Sequence, residues 1–473
     1  MVHSRSSARV ARIHLAVFAL FAVASLTSSH ARAEKTLFKD GDWEIYTDGR
    51  VGGFVSYVHG DGFPQPPYVL PAGTAPGPGS VGVPLHTIKG GGWALPADNQ
   101  LLNDPSQGST TTNQGTVDMM RVRSGFISNT IGFGVRDQIS TNTKISGYFQ
   151  LWAYIESMNR QKNNPNPPDV RQGYAKIEGK WGSVLVGRTR TLYSRGATDI
   201  DTMYAHRWGV GFPNAVDSNG PTLGQIGFGV LGSGFASGVV YGTPTIAGLH
   251  LDVGAFDPIA LTGPGVWQRT WFLRPEGELT WEQAIGSSSK IVAFANGAYQ
   301  EIYKGGYCPP HSQTGQYCSE AAAGFGYGVR VEIGPVHLGF AGHRGKGLGL
   351  TYALEQSDAA QDKNGNLRLF DGYYGQSQFV IGPVDLFGGA GITRVFLNAV
   401  DKLTAPDPRD ASGATQVIAT SVIKYQLGIN AGVVYHMTPN VHFDLDYFRA
   451  QATWYLGEQQ VLHCFNGGMT FSW

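Results

Sequence analysis

Between Thr189 and Gly234 the sequence sets Asp199, Asp201 and Asp217 beside Arg195 and Arg207. Such a set needs to make no bond to be useful, because facing charges create a field that orients water and polar solutes. A connection this long with paired charges reads as functional rather than as filler, since loops carry specificity on a rigid scaffold. Motifs for covalent work are missing: the chain has no G-x-S-x-G, Walker loop or H-E-x-x-H. Gly227-x-Gly229-x-x-Gly232 fits a dinucleotide fingerprint by letter, but no helical pattern follows it. Met119-Met120 reads as strand edge, not as a ligand pair. Cys308 and Cys318 flank CPPHSQTGQYC, a turn-rich segment in which an exported chain is expected to form a loop disulfide. A zinc set there is incomplete, with only His311 close by, and Cys464 has no evident partner. No cofactor is expected.

The elements that would position these residues are strands. Lys144 to Ile155 reads KISGYFQLWAYI, with Ile145, Phe149, Leu151, Ala153 and Ile155 on one side and Lys144, Ser146, Gln150 and Tyr154 on the other. About ten residues of this alternation cross a bilayer at a tilt, one face on lipid and one on water. The pattern recurs to Trp473. It places strands near 43–57, 119–136, 143–157, 171–180, 183–188, 235–242, 248–256 and 271–283. Eight more follow near 289–302, 321–333, 336–344, 367–381, 384–397, 416–436, 440–453 and 460–473, sixteen in all. Turn chemistry at 138–143, 243–248, 285–289, 333–335, 381–383 and 438–440 marks one rim. The other connections are longer, and 59–117 is the longest, expected as an extracellular loop. Short turns at one rim and long loops at the other are the rhythm of an all-β, 16-stranded antiparallel transmembrane β-barrel.

Arg5, Arg9 and Arg12 precede the apolar run Ile13 to Leu26, and Ala31-Arg32-Ala33 offers a cleavage site. Residues 1–33 are therefore expected to be a cleaved signal peptide and 34–473 a single barrel domain in the bacterial outer membrane. Hydrophobic residues make up only 42%, below what helical membrane proteins show, and no later window approaches 18 consecutive apolar residues. The chain balances 35 basic against 35 acidic residues, and removing the four arginines of 1–33 leaves a net charge of about −4. That excludes a strongly basic nucleic-acid binder. Inside the barrel, Arg274, Glu276, Glu278, Thr280 and Glu282 would share one face of the eighth strand, and His442, Asp444 and Asp446 one face of the fifteenth. Charges this dense predict water beside them, because an apolar cavity would leave each ion unpaired at a cost of several kcal/mol.

Arg171 to Arg190, RQGYAKIEGKWGSVLVGRTR, resembles the fourth and fifth strands of general bacterial outer-membrane porins. Arg123 to Ile127, RSGFI, is similar to that family's second strand, Trp43 to Val51 resembles its first, and the aromatic C-terminus resembles its assembly signal. The resemblance implies a homotrimer in which the loop after the fifth strand, here about 189–234, folds inward and narrows each pore. It also implies a basic ladder facing that loop, for which alternation offers Arg50, Arg121, Arg123, Lys176 and Arg188, Arg123 and Arg188 first because they sit in the family-like blocks. The expected function is passive diffusion of ions and small hydrophilic solutes by a non-enzyme, with outer-membrane lipid and lipopolysaccharide as surroundings. Two alternatives stand beside it. A substrate-specific channel would use an aromatic track beginning at Tyr148, Trp152 and Tyr154, and a barrel-borne enzyme would need a Ser/His pair at the rim, for which no candidate emerges. Adhesion carried by the 59–117 loop is a third.

Overall fold

The computed structural model describes residues 34–473 except 65–67, 75–82, 92, 94–115, 126, 128, 154–167, 203–224, 260–266, 269–271, 305–317, 355–358, 363–364 and 403. Its frame is a closed barrel of sixteen antiparallel strands, as the alternation predicts. In chain order they are β1 (Trp43–Asp61), β2 (Thr116–Arg123 and Asn129–Ser140), β3 (Thr143–Ala153), β4 (Asp169–Gly179), β5 (Gly182–Arg190), β6 (Phe235–Gly242), β7 (Leu249–Phe256) and β8 (Arg274–Ile285). They continue as β9 (Ser289–Lys304), β10 (Cys318–Ile333), β11 (Val336–Lys346), β12 (Leu369–Ile381), β13 (Val384–Phe396), β14 (Thr420–Thr438), β15 (Val441–Trp454) and β16 (Gln459–Ser472). A short strand, Lys35–Asp40, pairs with the start of β1.

Each strand pairs with the next, and β16 closes on β1 from Arg50↔Ser472 to Gly60↔Leu462. Gly49 and Trp473 complete the seam by exchanging backbone hydrogen bonds of 2.9 and 3.0 Å. β2 differs from its expected single run. It is two pieces that pair in turn with the upper and lower halves of β1, so the break at 124–128 does not open the wall.

All six segments with turn chemistry join consecutive strands as hairpins, and Lys180-Trp181 forms a seventh. Gly334 and Gly382 sit at φ of 54° and 60°, a left-handed conformation that glycine adopts without steric cost. The opposite rim carries the long connections, with one short exception, Tyr455–Glu458 between β15 and β16. There Thr87–Lys89, from the first long connection, pairs in parallel with Thr420–Val422. Glu458 secures this clasp by bonding His86 and accepting from the Ser421 hydroxyl at 2.6 Å.

Alternation decides what faces what. Val51, Val55, Phe149, Ile177, Val239 and Leu445 are exposed on the outer surface, an apolar face that lipid would cover. Inner positions are mostly polar toward the hairpin rim, while toward the long-connection rim an apolar cluster forms among them. Phe370, Phe448 and Trp454 of the wall bury against Phe228, Leu231 and Leu354 from the loops. The lumen is thus wet only in part, because the loops bring their own apolar residues inside.

Leu445→Arg would place a charge on the lipid face. It should cost up to about 2–4 kcal/mol near the bilayer midplane, measured by denaturant unfolding of the barrel in lipid vesicles.

Candidate pore constriction

The described flanks of the 189–234 connection lie on the inner wall, and charge fixes the outgoing one there. After β5 the chain enters the barrel at Thr191 and forms a short helix, α1 (Arg195–Ile200), against β9, β10 and β11. Glu276 of β8 accepts the backbone N–H groups of Leu192 and Tyr193 at 2.7 and 2.8 Å, together with Arg274 Nε at 2.6 Å. Glu278, two residues on and on the same face, accepts Gly196 N–H at 2.7 Å, Arg195 Nε at 2.7 Å and Asn296 Nδ2 at 3.1 Å. Asp252 of β7 pairs with the other end of the Arg195 guanidinium. These carboxylates were expected to face water. Instead Glu276 and Glu278 are 6% and 2% exposed, and loop amides replace the water they would otherwise need.

Tyr193 is fully buried, and burial beside the Glu276 charge pushes its phenol well above the ordinary range, so it stays neutral. The wall makes room for it at Gly324 of β10, where a Cβ would stand 2.2 Å from the Tyr193 hydroxyl.

The return flank, Gln225 to Gly234, lies in a groove that the wall opens by omitting side chains. A Cβ on Gly391 of β13 would meet the Phe228 carbonyl at 1.9 Å, and one on Gly428 of β14 would meet the Phe228 ring at 2.6 Å. Gly229, at φ 97°, passes so close to the Tyr373 carbonyl that no other residue fits. Its N–H donates to Thr393 Oγ1 at 2.8 Å and its carbonyl meets His343 Nδ1 at 3.1 Å, while Gln426 Nε2 donates to the Gly227 carbonyl at 3.1 Å. Of the glycines that spelled a nucleotide fingerprint, Gly229 therefore serves close backbone approach. Asp201 ties both flanks to β12, accepting Gln225 N–H at 2.7 Å and Gln376 Nε2 at 2.9 Å, while Gln376 Oε1 accepts Thr202 N–H at 2.8 Å.

Asp199 pairs at 2.8 Å with Arg190, which also donates to Ser233 Oγ, Thr198 Oγ1 and the Arg195 carbonyl. Sequence reasoning singled out Arg188, whereas Arg190 is the β5 residue that holds the loop. Arg188 donates from Nε to the Val170 carbonyl at 3.1 Å. Arg50 and Arg123 are buried on the inner faces of β1 and β2, with Arg121 half-buried on the same face. Arg50 Nη2 donates to Thr470 Oγ1 at 3.4 Å, and nearby Asp48 accepts the Tyr148 hydroxyl at 2.8 Å. Lys176 and Lys144 flank Glu178 at 2.5 and 3.2 Å, with all three part-exposed on the inner wall. Tyr148 and Trp152 face inward, Trp152 beneath the Arg171 guanidinium at 4.7 Å. Asp217, Tyr154 and Cys308 lie outside the described residues. So does the Cys318 side chain, although its backbone opens β10. Cys464 is buried and donates from Sγ to Asn466 Oδ1 at 3.3 Å.

The missed holders, Glu276, Glu278, Asp252 and Arg190, were visible as alternating charges. Only the loop's position reveals what they bind.

No protein-family model matches the chain, and no curated protein matches it in sequence. Among solved structures it is similar to the outer membrane channel DcaP of Acinetobacter baumannii, with 12% identity, a TM-score of 0.56, and 93% of this chain and 100% of that one covered. It is also similar to an anion-selective porin from Comamonas acidovorans, at 11% identity and a TM-score of 0.54 over 91% of this chain and 100% of that one. A loop L8 deletion mutant of OmpT, an outer membrane protein of Vibrio cholerae, gives 10% identity and a TM-score of 0.50 over 91% and 100%. At these identities the likeness is one of fold.

Glu278→Ala would strand the Gly196 and Asn296 N–H donors and leave Arg195 with Asp252 alone, a loss of up to about 3–5 kcal/mol, the usual cost of breaking a buried pair. The melting midpoint followed by semi-native electrophoresis should fall. Gly391→Ala should displace the return flank and speed its cleavage by added protease. Gly375→Ala, where a Cβ meets nothing within 4 Å, should not.

Proposed function

We propose that this chain is an outer-membrane porin, a water-filled passage for ions and small hydrophilic solutes, and not an enzyme. One observation carries the reading. Within a closed barrel, Lys144, Lys176, Glu178, His250, Arg190 and Asp199 stay part-exposed along the inner wall from β3 to β7 and the loop facing it. The apolar cluster and the fixed flanks take up other parts of the interior, and charges of both signs line this sector. The channel and porin functions printed for the similar structures support the same reading, as do the family-like blocks, which also favour a homotrimer. The outer apolar face suits outer-membrane lipid with lipopolysaccharide outside. Residues 1–33 would serve as the export signal.

Refolded 34–473 in a planar bilayer should give discrete conductance steps that scale nearly linearly with salt. A folded, heat-modifiable barrel without conductance would sink the proposal, and a saturating current blocked by one solute would replace it with a substrate-specific channel. In a salt gradient, Asp199→Asn should move the reversal potential toward anions and Lys176→Gln toward cations. Both shifts should grow as salt falls from about 1 M to about 0.1 M, where the Debye length rises from about 3 to about 10 Å.

A further inference from the structure

Asp444 and Asp446 project from β15 into the barrel, since Phe443 and Leu445, which alternate with them, face outward and are exposed. They are 5% and 4% exposed and stand two positions apart on the same inner face of the strand. Asp446 Oδ1 accepts Asn466 Nδ2 at 2.7 Å. The other three oxygens, Asp444 Oδ1 and Oδ2 and Asp446 Oδ2, are buried without a donor. No lysine, arginine or histidine among the described residues forms an ion pair with either carboxylate. Part of their surroundings is apolar. Asp444 sits opposite fully buried Val434, the Phe54 ring packs over Gly468 beside it, and the Phe387 ring packs over Gly432 beside Asp446.

Two adjacent carboxylates in such walls need positive charge, and the choice lies between a proton and a cation. A shared proton would satisfy two of the three orphan oxygens and leave one net negative charge, and a second proton would remove that charge but leave a buried hydroxyl without an acceptor. A divalent cation would neutralise both groups at once and supply a partner to the orphan oxygens. We propose that Asp444 and Asp446 form a binding site for one hard divalent cation of the calcium class. The donors are all oxygen, which disfavours zinc and copper, and calcium accepts irregular oxygen sets at about 2.3–2.6 Å with water completing its shell. Magnesium demands a near-octahedral arrangement that two residues on one strand do not provide. The site rests on the barrel alone and is independent of whether the barrel conducts.

The folded 34–473 barrel, stripped with a chelator and titrated calorimetrically with calcium chloride, should take up one calcium per chain. Magnesium should bind at least about tenfold more weakly. The double variant Asp444→Asn with Asp446→Asn keeps the shape and removes the charges, so it should fold and lose the calcium site. Absence of saturable uptake by the unmutated barrel, or equal uptake by the variant, would overturn the proposal. If the variant does not fold, difference infrared spectra of the unmutated barrel decide. Calcium should shift carboxylate stretching bands, whereas a protonated-carboxyl band that persists at neutral pH under saturating calcium means a shared proton and overturns the site.

Discussion

A backbone amide in hydrocarbon has no water to bond, so each must find its partner within the chain, and a sheet meets that demand only by closing on itself. From this follow the seam between β1 and β16 and the division of side chains into an outer apolar face and an inner one, and because that seam is antiparallel the strand number is even. Closure also creates an enclosed space wider than side chains fill. The molecule fills part of it with its own loops.

Bringing loop backbone inside raises the same demand again, now in a space that is neither lipid nor bulk water. The wall answers in two ways. On the β7 to β9 side it offers ions: Glu276, Glu278 and Asp252 receive amides and the Arg195 guanidinium. On the β12 to β14 side it offers emptiness, glycines that let the return flank settle against the sheet and exchange single hydrogen bonds with Thr393 and Gln426. The β3 to β7 sector keeps part-exposed charge, so the asymmetry of the interior arises from which stretch of wall the described flanks occupy.

Strand number, hairpin rim and lipid face were legible in the sequence because a period of two and Gly/Pro turns are local properties. The loop's attachments were not, and the reason is physical. Glu278 looks the same in one strand whether water or Gly196 N–H satisfies it, and the difference comes from a segment more than eighty residues away. Arg188 and Arg190 illustrate this at closest range. They differ by two positions on one strand, yet only the fold tells which guanidinium reaches Asp199. The apolar cluster at the long-connection rim escaped for a related reason: Phe228 and Leu231 lie in a loop that follows no strand or helix period.

The clasp at Thr87–Lys89 adds a consequence in time. Its partners, Thr420–Val422 and Glu458, come from the far end of the chain, so they meet only after nearly the whole wall has assembled. Contacts made after the rate-limiting step leave the speed of folding unchanged and slow the reverse reaction. A clasp formed in that order would govern how long a finished barrel lasts rather than how fast one is made.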